Sequence, residues 1–444
     1  MSPTPINARR NAPKVALATL ALALTGALAA SGAQASGFQL KENSAKALGR
    51  SFAGTESAPG DVSVVVNNPA AMSDLQGVYF KADLTVINFS TKFSGGGNDI
   101  TGAPLTGGNG GDGGLTMPVP ALFFAMPTGE HSHFGAAITA PFGFTTEYDK
   151  DWVGRYKGVK SGLKTIDLTL SYSYAVNDSL SLGASLIGQH TSADLTSMVD
   201  YGTFLGVPQS HDGLARITGS ATDYGWQLGA LWKAGQRDRF GINYRAKISH
   251  TLKGNATFHD VPSQLAALVE LGNFQNTKGT ADFATPATMT LSWWHQATDR
   301  FAFGANVART EWSSFKELRV KYGSGQADTV EPEFWKDTWS ASLGGDYKLN
   351  GNWTLRAGIA YDKTPTVDAH RTPRVPDGNR RWLSFGFDYT PASDFELSVG
   401  FAHLWVDDAP VFASPHLASP TGSTLAGTSR NAGNLLGVSG TFRF

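Results

Sequence analysis

Residues 164–176, KTIDLTLSYSYAV, alternate between apolar and polar side chains without a break. Because successive side chains of a β-strand point to opposite faces, this segment presents one apolar face and one polar face. It is also long enough to cross a lipid bilayer as a strand. A turn at Asn177-Asp178 leads into a second alternating segment, residues 180–190. If the pattern recurs along the chain, these strands belong to a closed membrane barrel.

The same alternation recurs from Gly77 to the C-terminus and predicts about fourteen strands. They lie near residues 77–93, 118–128, 132–146, 163–177, 179–196, 219–234, 239–254, 283–297, 300–321, 336–349, 352–362, 379–391, 394–407 and 430–444. Short turns alternate with long loops, and the number of strands is even, as in single-chain bacterial barrels. The predicted fold class is therefore all-β and transmembrane, a 14-stranded antiparallel outer-membrane β-barrel over residues 76–444.

The N-terminal 35 residues have the pattern of a targeting segment. Arg9, Arg10 and Lys14 precede the apolar run 15–30, and Ala33-Gln34-Ala35 places small residues where signal peptidase accepts them. We interpret residues 1–35 as a cleaved signal peptide, with an N-terminal membrane helix as the alternative. Later apolar runs are shorter than the roughly 18 residues that a spanning helix needs.

Residues 36–75 do not follow the strand pattern. They read as two short helical stretches, the second with Asn68 as its cap and Pro69 at its first position. A segment of this size is too small to form a stable core of its own. We therefore predict that it is a hatch, a plug inside the lumen of the barrel.

The composition excludes several classes of function. A formal net charge of -1, with 16% charged residues, gives no basic surface for nucleic acid. The absence of cysteine excludes disulfides, thiolate metal sites and cysteine nucleophiles. No His pair has carboxylates at a metal-ligand spacing, and no Ser/His/Asp set is evident, so we expect no metal, no cofactor and no enzymatic activity.

Two long loops carry apolar side chains that predict an extracellular groove for a hydrophobic molecule. These side chains are Phe204, Leu205 and Val207 in one loop, and Leu265, Leu268 and Val269 on a short helix in the next. The alternative is that this helix only packs its apolar stripe on the rim of the barrel. Arg245, Lys247 and Arg356 are predicted to face inward, where they pair with acids such as Asp346 and Glu396 or bind a ligand carboxylate.

Short motifs in a fixed order resemble the FadL/TodX family of outer-membrane transporters for long-chain fatty acids and hydrocarbons. They are Gly37-Phe38-Gln39-Leu40, Leu48-Gly49-Arg50, Asn68-Pro69-Ala70, residues 141–148 (PFGFTTEY), 152–156 (WVGRY), 310–313 (TEWS), 352–358 (NWTLRAG) and 381–384 (RWLS). The resemblance covers essentially the whole chain after residue 36. It implies a fourteen-stranded barrel with an N-terminal hatch.

The resemblance also implies roles for particular residues. Phe38 and Leu40 would lie at the inner ligand site, and Asn68, Pro69 and Ala70 would hold the hatch. Pro141, Phe142 and Gly143 would form a kink in the third strand, through which ligand leaves sideways after the hatch rearranges. Proline removes a ladder donor and glycine weakens strand pairing, so a break at this place is also expected on physical grounds.

The chain departs from the family at the ligand head group. Residues 192–194 and 331–333 offer acids or hydroxyls where basic residues are expected, which leaves two substrate classes open. We predict uptake of long-chain fatty acids or similar hydrophobic compounds, with aromatic or alkane hydrocarbons as the alternative. A polar-solute porin and an outer-membrane lipid hydrolase are further alternatives. The expected partners are the hydrophobic ligand and outer-membrane lipid, and the expected state is a monomer.

Overall fold

A computed structural model describes residues 37–413 and 422–444, so the predicted signal peptide, residues 1–35, lies outside it. Within these residues, 20 strands form one antiparallel sheet. No helix in the described ranges is long and apolar enough to span a membrane.

The strands in chain order are β1 (Tyr79–Gly96), β2 (Thr116–Pro127), β3 (Ser132–Thr139), β4 (Gly143–Glu147), β5 (Lys160–Ala175), β6 (Leu180–Asp200), β7 (Asp212–Ala234), β8 (Asp238–Arg245), β9 (Ile248–Phe258), β10 (Thr277–Thr285), β11 (Thr288–Gln296), β12 (Phe301–Thr310), β13 (Glu317–Tyr322), β14 (Thr329–Pro332), β15 (Thr338–Lys348), β16 (Trp353–Asp362), β17 (Arg380–Ala392), β18 (Phe395–Val406), β19 (Ala409–Ala413) and β20 (Leu425–Arg443).

Six barrel strands consist of two consecutive segments separated by a short break. The pairs are β3 with β4, β8 with β9, β10 with β11, β12 with β13, β14 with β15, and β18 with β19, since the two members of each pair follow one another along the same position in the wall. The last strand, β20, pairs with β1 from Tyr79↔Arg443 to Gly96↔Ala426 and closes the barrel. The described ranges therefore form a closed barrel of fourteen strands, which confirms the predicted fold class.

The alternation in β5 has the predicted orientation. Leu168, Leu170 and Tyr172 are exposed on the outer wall, whereas Thr169 and Ser171 are buried inside. An exposed apolar belt outside a polar interior is the surface that a bilayer requires of a barrel. The structure therefore places the apolar face where lipid lies.

Residues 37–75, called the hatch below, lie inside the barrel. They contain α1 (Ala45–Leu48), α2 (Val64–Asn67) and a 3-10 helix (Pro69–Asp74), and most of their side chains are buried. The Ser44 side chain caps α1 by accepting a hydrogen bond from the Ala47 amide at 3.2 Å. Within the described ranges, two further α-helices, α3 (Tyr201–Phe204) and α4 (Ala266–Glu270), lie in long loops.

Buried ion pairs join the hatch to one side of the barrel. Lys46 Nζ lies 3.4 Å from the Asp388 carboxylate and 2.5 Å from that of Glu396. Arg50 Nη1 lies 3.3 Å from the Asp346 carboxylate. Breaking such a pair inside the barrel would leave an uncompensated buried charge, which is strongly unfavourable. This part of the hatch is therefore held firmly.

Close packing seats the hatch on the opposite side. The Asn68 side-chain nitrogen Nδ2 donates to the Ala230 carbonyl at 3.0 Å, and the side-chain oxygen Oδ1 accepts from the Ala70 backbone amide at 3.2 Å. Gly229 in β7 and Gly183 in β6 allow this approach, since a Cβ at Gly229 would lie 2.1 Å from Asn68 Oδ1 and one at Gly183 would lie 2.3 Å from the Ala70 nitrogen. Two wall glycines therefore form the seat of the Asn68-Pro69-Ala70 turn.

We predict that Gly229→Ala destabilises the protein by about 1–3 kcal/mol, because the new methyl group overlaps the Asn68 side chain. The matched control is Gly188→Ala in β6, where a Cβ would have its nearest neighbour 3.7 Å away. Thermal unfolding in detergent, followed by circular dichroism, measures the difference. Equal unfolding temperatures for the two variants would contradict the proposed seat.

Candidate functional site

An apolar chamber lies in the lumen beside the N-terminal end of the hatch. Its walls, called the aromatic chamber below, are Phe142, Phe144, Leu163, Leu252, Phe283, Trp312, Phe315, Trp335 and Val375. The ring of Phe38 occupies its centre and is 1% exposed. Six aromatic rings surround it, with ring centroids 4.6 to 6.3 Å away. The chamber is therefore built for an apolar group and is filled by one.

The backbone before Phe38 is adapted to this position. Gly37 has a φ of +61°, and a Cβ there would lie 2.7 Å from the Trp335 ring. Its amide donates to Asp377 Oδ2 at 2.9 Å, and Asp377 in turn pairs with Arg380 at 2.5 Å. Burial raises the pKa of Asp377, and the adjacent Arg380 guanidinium opposes that effect. Glycine therefore satisfies both the backbone conformation and the space beside the chamber.

The third barrel strand is broken next to the chamber, at the predicted kink. β3 ends at Thr139, and β4 begins at Gly143. The ladder from β2 to the third barrel strand runs from Pro127↔His133 to Leu122↔Ile138, and β4 pairs with β5. The described part of the chain has no ladder between β2 and β4, so the wall has a gap there.

Hatch residues close this gap from inside. The Leu40 amide donates to the Pro141 carbonyl at 2.7 Å, and the Gly143 amide donates to the Phe38 carbonyl at 2.8 Å. Gln39 and Phe142 are the paired residues of this short antiparallel bridge. Removing residues 38–40 would therefore expose unpaired backbone groups at the kink and open the side of the aromatic chamber.

Two prolines explain why β2 does not pair across the gap. Pro118 and Pro120 lie in the part of β2 that is paired with β1 at Val86 and Leu84. Since that ladder is intact, we infer that the amide donors missing at these prolines belong to the edge facing the gap. The prolines therefore keep this edge from recruiting a strand. These two prolines are visible in the sequence and mark the position of the gap. The strand predictions above do not make use of them.

The lumen between the hatch and the far wall has a mixed polar and apolar lining. A cavity of about 150 Å³ there is lined by hatch residues such as Gln39, Lys41 and Asn67 and by wall residues such as Asn243 and Thr290. Leu40, Phe52 and Trp382 contribute apolar surface to the same lining. The aromatic chamber therefore has a gap in the wall at its side and a cavity of mixed polarity on the hatch side.

An ionic cluster lies at the other end of the chamber. Arg374 Nε is 3.2 Å from Glu331 Oε2, and Trp335 of the chamber donates to Glu333 Oε2 at 2.7 Å. Burial and the Glu331 carboxylate raise the pKa of Glu333 well above its usual range. Burial lowers the pKa of Lys157 to about 8, although Glu331 acts in the opposite direction. Two acids, Glu331 and Glu333, and two bases, Arg374 and Lys157, are therefore close to the chamber.

The predicted loop residues meet in a second apolar cluster near the long-loop end of the barrel. Leu265 is buried with Tyr201 and Phe274, and Leu205 and Leu268 pack against them. The Phe204 ring lies 5.2 Å from that of Phe274. Val207 is exposed and Val269 is half-buried. The two loops thus join at Phe274, and a small cavity of about 60 Å³ extends from Phe274 to Glu331 and Arg374.

The three predicted basic residues lie in different places. Arg245 pairs with Asp167 at 2.6 Å, and Arg356 pairs with Asp346 and Asp388 at 3.1 and 2.5 Å.

The prediction that Lys247 faces inward is wrong, because Lys247 is exposed on the outer wall beside Ser249. The break between β8 and β9 shifts the alternation there, so inward positions change from Asn243 and Arg245 to Ala246, Ile248 and His250.

Arg374 and Lys157 are further candidate head-group residues, which the sequence patterns do not reveal. Both lie in long loops far from Glu331 in sequence, and folding brings them together. The alternation that predicts strands carries no information about loop residues. The only signal in the sequence is that Arg374 stands beside the prolines Pro373 and Pro376, in a loop rich in basic residues.

Comparisons with known proteins agree on one family. The family model described as outer membrane protein transport protein (OMPP1/FadL/TodX) matches residues 26–444. The chain is 29% identical over 405 residues to the long-chain fatty acid transport protein of Escherichia coli O6:H1, covering 86% of this chain and 90% of that protein.

Solved structures give the same result. A FadL homologue from Pseudomonas aeruginosa has a TM-score of 0.87 at 30% identity and covers 92% of this chain and 100% of its own. The Pseudomonas putida toluene transporter TodX has a TM-score of 0.66 at 19% identity, covering 92% and 100%, and shares the fold.

We predict that Phe38→Ala leaves the barrel folded but opens an apolar cavity in the chamber, at a cost of about 3–5 kcal/mol. The empty chamber should then bind an uncharged apolar dye that the unmodified protein binds weakly. Phe93→Ala is the control, because Phe93 is equally buried but packs against Trp152 in a different cluster. Dye fluorescence measures binding, and equal binding by both variants would contradict the role of Phe38.

Proposed function

Because the chain belongs to the OMPP1/FadL/TodX family of outer membrane transport proteins, we propose that it takes up long-chain fatty acids or similar hydrophobic compounds. The observation that carries this proposal is an aromatic chamber that is filled by the N-terminal end of the hatch and lies beside a gap in the wall. The similar protein from Escherichia coli O6:H1 is named as a long-chain fatty acid transport protein. The proposed uptake is passive and involves no chemical step or cofactor.

The driving force is the transfer of apolar surface from water into the protein. Each buried methylene group contributes about 0.8 kcal/mol, so a long acyl chain can bind with few polar contacts. The loop cluster around Phe274 would capture the molecule, and the cavity that reaches Glu331 and Arg374 leads from it toward the chamber. In the chamber the acyl chain replaces the Phe38 ring.

Release occurs sideways through the kink in this proposal. When the ligand displaces Phe38, the hydrogen bonds of residues 38–40 to Pro141 and Gly143 are lost, and the gap between β2 and β4 opens. The hatch body, which is held by buried ion pairs and by close packing on wall glycines, blocks a straight path along the barrel axis. Ligand therefore enters the membrane rather than the periplasm.

The ionic cluster bears on the choice of substrate. Lys157 and Arg374 can receive a carboxylate head group by charge-assisted hydrogen bonds. Glu331 and Glu333 oppose an anion, and this observation supports the alternative of a neutral aromatic or alkane hydrocarbon. We favour the carboxylate, because burial and the Glu331 carboxylate raise the pKa of Glu333 and so favour its uncharged form, while Arg374 pairs with Glu331.

A disulfide across the kink tests the exit. Gln39 and Phe142 are bridge partners, and roughly 4.5–5.5 Å between such Cα atoms suits a disulfide. The chain has no cysteine of its own, so Gln39→Cys with Phe142→Cys can form only the intended bond. In a strain that lacks the native protein, we expect the oxidised double variant to lose oleate uptake and a reductant to restore it.

Each single-cysteine variant controls for the substitutions themselves. Oleate uptake by the oxidised double variant at the rate of the single variants would exclude this exit. Toluene uptake in the same cells separates the substrate classes. Uptake of toluene that depends on the protein, together with oleate uptake that does not, would favour the hydrocarbon alternative.

The head-group assignment predicts a dependence on pH. Burial places the pKa of Lys157 at about 8 rather than 10.5, so the charge is present below that value and is lost as the pH rises through it. Affinity for a long-chain carboxylate should therefore fall about tenfold between pH 7 and pH 9. Affinity for the corresponding long-chain alcohol should stay constant.

Lys157→Arg is the matched control, since a guanidinium keeps its charge over this range. Its affinity for the carboxylate should not change between the two pH values. Titration calorimetry in detergent measures all of these affinities. The same pH dependence for the alcohol and the carboxylate would remove Lys157 from the head-group site.

A further inference from the structure

A second part of the barrel wall lacks strand pairing, on the side formed by β7 to β13. The ladder from β7 to the next barrel strand stops at Ser220↔Lys253 and resumes at Gln227↔Arg245. A second interruption lies two barrel strands further on. The ladder between β10 and β13 stops at Ala281↔Val320, and the ladder between β11 and β12 begins at Thr288↔Thr310.

The hairpin between these two interruptions is attached along only part of its length. β9 and β10 pair with each other from Thr285↔Ile248 to Thr277↔Ala256. The parts of β9 and β10 nearest the long loop between them also pair with β7 and β13, respectively. At residues 248–252 and 282–285 the hairpin has its own ladder, while the ladders to the neighbours on both sides are interrupted. This part of the wall can therefore separate from its neighbours more easily than the rest.

A groove of about 740 Å³ opens on the outer wall at this place. Its lining includes His250, Phe283 and Phe315, and the last two are also walls of the aromatic chamber. The rings of Phe283 and Phe315 lie 5.4 and 5.8 Å from that of Phe38. One layer of rings therefore separates the outer groove from the centre of the chamber.

Three lysines and three acids line the rim of the groove. Lys247, Lys253 and Lys316 line it, and no ion pair to a carboxylate is formed by these three among residues 37–413 and 422–444. The acids of the rim have partners of their own: Asp223 with His250 at 2.7 Å, Asp282 with Lys321 at 3.7 Å, and Glu317 with Arg319 at 2.6 Å. Three ammonium groups are thus available to an anion.

The groove lies at the upper border of the apolar belt. Tyr224, Tyr244 and Met289 are the last exposed apolar side chains on their strands. The next outward positions include Thr222 and Lys247, which line the groove. Tyrosines of barrels collect at the membrane interface. The groove therefore opens at the level of the lipid head groups.

We propose that this groove is a side entrance that admits single-chain amphiphiles with a carboxylate head group from the membrane interface into the aromatic chamber. The head group binds the lysines of the rim, and the acyl chain lies on Phe283 and Phe315, which turn aside to admit it. This inference rests on the proposed uptake function and adds an entry route to it. Its occupant is the transported molecule itself, because the apolar floor of the groove is continuous with the transport site.

Cysteine protection tests the groove as a binding site. Ser249→Cys places the only thiol of the chain in the groove, and Asn255→Cys places it further along β9 on the same exposed face. In vesicles that contain the full-length protein, oleate at ten times its dissociation constant should slow labelling of Ser249→Cys by a charged maleimide about tenfold. Labelling of Asn255→Cys should not change. An unchanged rate for Ser249→Cys would overturn the proposal.

Two further versions of the cysteine-protection experiment identify the head group that binds in the groove. Replacing Lys247 and Lys253 by Gln should weaken the protection, whereas Lys278→Gln on the adjacent strand should not. Protection by lipopolysaccharide but not by oleate would assign the groove to the surrounding lipid and overturn the proposal.

Blocking the groove separates this inference from the proposed function. The labelled Ser249→Cys variant should take up oleate more slowly than the labelled Asn255→Cys variant. Equal rates, with uptake intact in both, would remove the side entrance and leave the uptake function standing. If even the unmodified protein fails to take up oleate, the proposed uptake of long-chain fatty acids is itself wrong.

Discussion

Two backbone hydrogen bonds, from Leu40 to Pro141 and from Gly143 to Phe38, join the hatch to the broken third barrel strand. They hold the Phe38 ring in the aromatic chamber and close the gap beside it. Each such bond contributes only about 0.5–1.5 kcal/mol net, and burial of the ring adds about 1.5–3 kcal/mol. An acyl chain of ten methylene groups can gain about 8 kcal/mol on burial. The closure is therefore weak enough for the proposed ligand to displace it.

The rest of the hatch is held in a different way. Lys46 and Arg50 form buried ion pairs with barrel acids, and the Asn68-Pro69-Ala70 turn fits against Gly183 and Gly229. Opening these contacts would expose unpaired charges and break close packing, which costs far more than releasing residues 38–40. The hatch therefore has a firmly held body and a more weakly attached N-terminal end. The proposed sideways release needs only the N-terminal end to move.

Much of the fold is predictable from the sequence, because strand alternation is a local signal. The segment 164–176 shows the reason, since its apolar side chains face lipid and its polar ones face the lumen with no tertiary contact needed to decide between them. The kink at residues 141–143 is also predictable, because proline and glycine act on the backbone directly. The side of the wall on which Lys247 lies is not predictable, because the break after Arg245 shifts the alternation and no Gly or Pro marks that break in the sequence. Arg374 and Lys157 escape prediction because loops bring them to Glu331 from distant parts of the chain.

A structure of the protein with a long-chain carboxylate bound would show directly whether the ligand displaces the end of the hatch. We expect the acyl chain to occupy the position of the Phe38 ring, with residues 38–40 no longer paired with Pro141 and Gly143. The carboxylate is expected near Lys157 and Arg374. A ligand bound elsewhere in the lumen, with Phe38 still in the chamber and its backbone still paired to the kink, would contradict the displacement of Phe38 and the sideways exit.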